Sequence, residues 1–223
     1  MEIDYDALAK ALLAQQETVQ KQGSVGYAIQ PDLLSFGECC RLADLIDERA
    51  ETQGTVKETS DGEASSVDEN IRRGKVAWLA PYDKSLPLIK QSDLQNVLFS
   101  MVGLAHICNG STFAGHGITL DSYPAEQIQL TKYETGDFYN THNDEEWHQG
   151  HGRKLSITVT ISHPKIGGEF VLEDADMPSE HKELLREPGT AIVFPSWAKH
   201  HVSEVCYDDD VRRSLVLWCS RTG

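Results

Sequence analysis

His142 and Asp144 stand two residues apart and pair an imidazole with a carboxylate. On an extended strand, side chains two apart leave the same face. This His-x-Asp would therefore aim both groups at one point, where they can share a divalent metal. Such a pair arises often by chance, so a third ligand from elsewhere is the deciding feature. Far downstream a short apolar run, Gly189 to Phe194, ends at Pro195, and after a turn comes His200-His201-Val202. Neighbours on a strand face opposite ways, so only one of the two histidines can enter a pocket. Counting from Gly189 through Phe194-Pro195 selects His200, with His201 left open as the alternative. Two imidazoles and one carboxylate on one side of a metal leave its other positions free for other molecules.

A cation follows the second histidine. Arg212 opens the run Arg212-Arg213-Ser214-Leu215-Val216-Leu217-Trp218. On a strand it shares a face with Ser214, Val216 and Trp218, while Arg213 shares the other with Leu215 and Leu217. A buried guanidinium binds a carboxylate through two parallel hydrogen bonds. Alternation leaves open which of the two enters; the other would be half of a surface ion pair, with the nearby acidic loop as one partner. The facial ligand set is the mark of non-heme Fe(II) oxygenases, which need open positions for a cosubstrate and dioxygen. A hydrolase or isomerase using zinc or iron on the same ligands is a second reading. It has no need of a buried arginine. A catalytically silent binding module is the third.

The elements that must position these groups fall in two parts. Residues 4–22 have a modest apolar stripe that predicts a helix, followed by a short extended piece at 27–30 and a helix from Phe36 to about Thr52. Residues 53–70 are polar and acidic and predict a solvated loop. Arg73 to Ala80 reads as a strand, and residues 85–108 as a helix. From Phe113 onward short strands and glycine-containing turns take over. Arg153 to Ser162 alternates strictly: Leu155, Ile157, Val159 and Ile161 on one face, Ser156, Thr158, Thr160 and Ser162 on the other. That hydroxyl face suits either open solvent or a wet pocket. Helices first and strands after predict an α+β chain, with helices outside a curved antiparallel sheet or barrel. The expected division is a helical extension at 1–26 and one domain at 27–223.

In order, these pieces resemble the prolyl 4-hydroxylase-like branch of the 2-oxoglutarate/iron(II) oxygenases. The resemblance runs from Arg72 to Trp218 and is most specific from Gln127. Gln129-Leu130-Thr131-Lys132-Tyr133 leads through Gly136-Asp137-Phe138-Tyr139 to His142 and Asp144. Arg153-Lys154-Leu155-Ser156, Gly167-Gly168-Glu169-Phe170, then Gly189, Phe194, Pro195 and Ser196 follow, before His200 and the Arg-x-Ser-Leu form at Arg212, which selects it over Arg213, close the pattern. The resemblance implies a double-stranded β-helix, a distorted jelly roll. It implies Fe(II) on His142, Asp144 and His200, and 2-oxoglutarate as cosubstrate, held by Arg212 with a hydrogen bond from Tyr133. It implies decarboxylation to succinate coupled to hydroxylation of an unactivated C–H bond, with ascorbate as an auxiliary reductant. Related halogenases replace the carboxylate ligand by a small residue, so Asp144 points to hydroxylation. Two departures stand out. The stretch between Val205 and Arg212 is longer than the family's short glycine turn and lacks its glycine. Thr160 occupies the position where relatives carry Tyr or Gln facing the cosubstrate. Tyr139 reads as a core aromatic, and His148, His151 and His163 as loop histidines.

Bulk composition bounds the rest. With 223 residues, 39% hydrophobic, the chain can bury a sizeable core. A net charge of −15 argues against a phosphate backbone or an anionic membrane as partner, and favours a neutral or cationic substrate. Five cysteines, two of them adjacent, suit neither a disulfide framework nor a zinc ribbon and predict a reduced, cytoplasmic protein. The absence of a long apolar run predicts no transmembrane helix. The expected substrate is a peptide, a protein side chain or a small amino-acid-like molecule, oxidised with O2. Oligomeric state is not legible.

Overall fold

The computed structural model describes residues 17–19, 25–54, 68–79, 88–121, 127–145, 147–148, 151–207 and 209–222. Two antiparallel sheets face each other. The larger takes β1 (Glu17–Val19), β2 (Tyr27–Gln30), β3 (Thr52–Gln53), β5 (Lys75–Leu79), β6 (Ile128–Tyr133), β8 (Trp147–His148), β9 (His151–Ser162), β11 (Ala191–Pro195) and β13 (Arg212–Thr222). Its order is β1-β2-β11-β9-β13-β6-β5-β3, with β8 folded back on β9. The smaller takes β4 (Arg72–Arg73), β7 (Phe138–His142), β10 (Phe170–Leu172) and β12 (His200–Val202), in the order β10-β12-β7-β4. Among the described residues three α-helices accompany them: α1 (Phe36–Arg49), α2 (Leu88–Gly110) and the short α3 (Ser179–Leu184).

Alternation along the long strands decides which side holds the core. Leu155, Ile157 and Val159 of β9 and Leu215 and Leu217 of β13 are fully buried. They pack with Leu42, Leu45 and Ile46 of α1 and Leu94, Val97, Met101 and Leu104 of α2 in one apolar cluster. The opposite face of these strands and of the neighbouring β6 is buried too, although polar. Gln129, Thr131, Ser156, Thr158, Thr160, Arg212 and Ser214 all lie below a tenth exposed. The hydroxyl face of β9 is therefore the lining of the space between the sheets, not a solvent face. Polar groups are retained at such a depth only where they bond one another or a guest.

Local chemistry sets the helix boundaries. Ser35 caps α1 in a reciprocal capping box with Glu38, whose carboxylate accepts from the Ser35 main-chain N–H at 2.8 Å. Arg41 clamps Asp93 with two hydrogen bonds of 2.7 and 3.0 Å, tying α1 to α2. The expected helices over 36–52 and 85–108 thus appear at 36–49 and 88–110. The strand expected over 73–80 is split in two at Gly74. Its φ is +146°, and a Cβ there would lie 2.7 Å from the Tyr133 ring, so glycine lets the chain change sheets against that ring.

The helix expected over 4–22 falls mainly outside the described residues. Within it, Glu17–Val19 is a strand paired with β2, a correction to the helical reading. Thr18 and Val19 are β-branched, and pairing them covers an open edge of the main sheet. The acidic loop expected over 53–70 lies largely at 55–67, outside the described residues. No helix among the described residues is long and apolar enough to cross a membrane.

Candidate metal and cosubstrate centre

His142 ends β7 and His200 begins β12, and the two are direct partners across the smaller sheet. Their rings face each other with centroids 4.2 Å apart. Each imidazole is pinned by its outer nitrogen. His142 Nδ1 donates to the Asn140 carbonyl at 2.8 Å, and His200 Nδ1 donates to the Ala198 carbonyl at 3.0 Å. A ring that donates from Nδ1 keeps a lone pair on Nε2. Both Nε2 atoms face Asp144, at 3.7 Å from its Oδ1 for His142 and 3.5 Å from its Oδ2 for His200. One ligand atom from each of the three lies within 4.8 Å of the others, the sole such His/Cys/Asp/Glu group among the described residues.

Asp144 reaches this point by a route the alternation argument did not contain. β7 stops at His142, so Asp144 lies beyond the strand. Its main-chain N–H donates to the Ser196 carbonyl at 2.8 Å, and Ser156 Oγ donates to its Oδ2 at 2.7 Å. Ser156 also lies 3.0 Å from Ser196 Oγ, so the turn after β11 and the polar face of β9 together hold the carboxylate. Burial raises the Asp144 carboxyl pKa, but His200, His142 and the Ser156 bond act against this and hold it below the ordinary range. His142 is pushed down to about 4, chiefly by burial and then by His200. It is therefore neutral near pH 7, the form that can bind a metal.

The paired alternatives separate by face. His201 points outward and donates from Nδ1 to Glu173 at 2.6 Å, so it takes no part in the cluster. Arg213 makes two hydrogen bonds of 2.9 and 2.7 Å to Asp47 of α1. Its ion pair is thus with a helix, not with the acidic loop before it. Arg212 is 1% exposed, and neither Nε nor Nη1 has a hydrogen-bond partner among the described residues. Burial drags its pKa down to about 10. A buried cation with idle donors is costly unless an anion joins it. The longer loop before it does not disturb its placement: Arg212 pairs directly with Tyr133. Asp209 supplies the left-handed residue that a glycine turn would have used, at φ +63°.

Tyr133 is buried beside Val202 and Val205, near enough to Arg212 to act on its charge. Thr160 donates to the Leu185 carbonyl at 2.8 Å, so its hydroxyl is committed to the segment after α3. Thr131 and Ser214 share a 2.6 Å hydroxyl contact on the same inner face. Trp218 is buried against the Trp78 ring and the Arg153 guanidinium, and its indole N–H joins the groups that hold the Asp144 carboxyl pKa down. His163 is half-buried and also pushed down to about 4, first by burial and then by Arg212 and Arg186. The side chains of Glu146, Trp147, His148 and His151 lie outside those described.

These depressed imidazoles carry a stability consequence. Between the ordinary value of 6.5 and about 4, the unfolded chain binds protons at His142 and His163 that the folded chain does not. Stability therefore rises with pH across that window and is lost as pH falls through it. Thermal unfolding of the metal-free protein should show a melting temperature flat above pH 7 and falling steadily toward pH 4.5. A melting temperature that stays flat down to pH 4.5 would contradict the burial assigned to both rings.

The donor set fits a divalent iron: two neutral imidazole nitrogens and one carboxylate, on one side of a space walled by hydroxyls. The idle Arg212 fits a dicarboxylate whose far end needs a cationic partner. Comparisons with known proteins agree. Residues 128–220 match the 2OG-Fe(II) oxygenase superfamily. A PKHD-type hydroxylase of Parvibaculum lavamentivorans is 31% identical over 94 residues, 41% of this chain and 41% of that protein. The chain thus spans about two-fifths of this curated relative in the match. Among solved structures, a Pseudomonas putida prolyl-4-hydroxylase superposes with a TM-score of 0.62 at 20% identity, covering 98% of this chain and 100% of that one. A Trichoplax adhaerens prolyl hydroxylase, in complex with a hypoxia inducible factor oxygen degradation domain peptide fragment, gives 0.65 at 15% identity over 96% and 90%. The fold is accordingly the double-stranded β-helix with flanking helices.

Proposed function

We propose, from the premise that residues 128–220 belong to the 2OG-Fe(II) oxygenase superfamily, that this chain is an Fe(II)- and 2-oxoglutarate-dependent dioxygenase hydroxylating a C–H bond of a peptidyl substrate, with proline the first residue to test. The observation that carries the reading is the pairing of the His142–Asp144–His200 cluster with a buried arginine whose Nε and Nη1 are idle among the described residues. Bound Fe(II) supplies the oxidising chemistry: substrate, 2-oxoglutarate and O2 become hydroxylated substrate, succinate and CO2.

The chain's own residues do the positioning. His142 and His200 present Nε2 lone pairs because their Nδ1 hydrogens are spent on main-chain carbonyls. Ser156 orients the Asp144 carboxylate. Arg212 takes the distal carboxylate of 2-oxoglutarate, and Tyr133, whose strand pairs with that of Arg212, adds a hydroxyl. The buried hydroxyl face of β9 and β13 excludes bulk water. The Trichoplax neighbour's bound peptide favours a peptide over a small amino-acid-like molecule. In this reading residues 27–223 form the dioxygenase domain and 1–26 an extension that lends it an edge strand. The five free cysteines suit a reducing cytoplasm.

Anaerobic addition of Fe(II) and 2-oxoglutarate should produce a weak visible charge-transfer band, and admitting air should yield succinate. Mass spectrometry of proline-containing peptides should then find one added oxygen atom. A protein that gives neither band nor succinate would return the site to a metal hydrolase or a silent binding module.

A further inference from the structure

The two histidines are held in place by different means. His200 lies among Phe194, at 4.8 Å between centroids, and Phe170, at 5.5 Å, and its side chain is 7% exposed. His142 has no such phenylalanine cage among the described residues, and its side chain is 17% exposed. Instead the Tyr139 ring lies flat on it, with centroids 3.6 Å apart and planes inclined by 15°. Residues three apart on a regular strand face opposite sides. Here a bulge intervenes: His200 pairs with His142 but Val202 pairs with Tyr139, so the irregularity turns Tyr139 back under the imidazole. On β4 the partner of Tyr139 is Arg72, whose guanidinium sits 4.6 Å from the centroid of the tyrosine ring. Arg72 is 5% exposed and fixed by a 3.2 Å hydrogen bond to Gln129 Oε1. A Cβ on Gly54 would collide with it, so its side chain is packed from that side as well.

We propose that Arg72 and Tyr139 are positioning residues which, as a guanidinium–phenol–imidazole stack, hold the His142 ring in its metal-binding orientation. The inference rests on the reading of His142 as a metal ligand. The Nδ1 bond to Asn140 fixes where the ring's hydrogen points, and the stacked face stops the ring from tilting toward solvent. Orienting groups behind a ligand commonly change metal affinity by roughly 10–100-fold. Arg72 also lies outside residues 128–220, so the stack is how the N-terminal half of the chain contributes to the centre.

The test is titration of the full-length, metal-free protein with Co(II), read by its visible d–d absorption, and anaerobically with Fe(II). Tyr139→Leu should weaken Co(II) binding by about tenfold or more and shift the absorption band. Tyr139→Phe keeps the stack and should stay within about twofold of wild type, because the ring face does the holding. Arg72→Gln should cost about threefold, in line with loss of a cation–π contact. A folded Tyr139→Leu protein with wild-type affinity and spectrum would overturn the proposal, as would a Tyr139→Phe protein that loses as much as Tyr139→Leu. Should the leucine variant fail to fold, Arg72→Gln decides, and unchanged binding and spectrum in it would sink the stack. A wild-type chain that takes up no Co(II) or Fe(II) overturns the metal reading itself, whereas a metal-binding wild type with indifferent variants overturns the stack alone.

Discussion

Asp144→Ala is expected to leave less than about one-hundredth of wild-type 2-oxoglutarate turnover while the protein stays folded, since removing a ligand must exceed the upper effect of removing a group behind one. The carboxylate is the sole anionic donor of the cluster. Without it two imidazoles remain, and their affinity for Fe(II) over other divalent ions falls with the lost charge. The fold should tolerate the change because the carboxylate's neighbours have other partners. Ser156 Oγ still meets Ser196 Oγ at 3.0 Å, and the main-chain bond from residue 144 to the Ser196 carbonyl does not depend on the side chain. Succinate formation and thermal unfolding should be measured together. Substantial succinate from a folded Asp144→Ala protein would remove Asp144 from the centre, and turnover lost together with the fold would make its role structural.

That prediction uses residues that sequence spacing singled out, and the structure brings them together by a partly different route. His200 over His201 followed from period-two alternation, and β12 obeys it. For Arg212 and Arg213 the same rule only separates the two faces, and the Arg-x-Ser-Leu form of the resemblance made the choice. His142 and Asp144 were paired as residues on one strand face, but the strand ends at His142 and a turn delivers Asp144. The groups that do the delivering, Ser196 and Ser156, are 52 and 12 residues away in sequence, where alternation says nothing about mutual contact. Tyr139 read as a core or cross-strand aromatic, and a regular strand would send it away from His142. One bulge reverses that, and no residue type marks the bulge in advance.

The fold shows the same division. Helices α1 and α2 and the alternating β9 were legible because each carries a period that a buried face imposes on many residues at once. The short strands β3, β4, β10 and β12 carry no such period, being two or three residues long, and are defined by partners rather than by pattern. The hydroxyl face of β9 was ambiguous for a related reason. Serine and threonine suit solvent and a lined cavity equally, and only the second sheet decides. Net charge is silent on the charge of an interior site. The chain carries −15, while Arg72 and Arg212 are buried at the centre and Arg153 stacks on Trp218 beside it.

Arg212→Met should move stability and cosubstrate affinity in opposite directions. In the absence of ligand, Arg212 is a fully buried cation with idle donors, and burial already drags its pKa to about 10. Replacing even a paired buried charge by apolar groups of similar volume is often neutral or gains roughly 1–4 kcal/mol, and Arg212 has only the more distant Glu169 charge to offset its burial. In a domain of this size, a gain of 1 kcal/mol raises the melting temperature by about 2–4 °C. The metal-free variant should therefore melt higher than wild type. With Fe(II) and 2-oxoglutarate the order should reverse. The distal carboxylate loses a desolvated, charge-assisted partner, a loss of about 2–5 kcal/mol, so the 2-oxoglutarate KM should rise by at least about thirtyfold. Ligand-induced stabilisation should shrink with it, because a ligand protects the fold only as far as it binds. Paired melting curves with and without 2-oxoglutarate, together with succinate kinetics across 2-oxoglutarate concentrations, separate the two effects. A variant that melts lower without ligand and keeps its KM would make Arg212 a structural cation. A variant that melts higher and needs far more 2-oxoglutarate would show that the chain carries a strained charge in its core for the sake of the anion that relieves it.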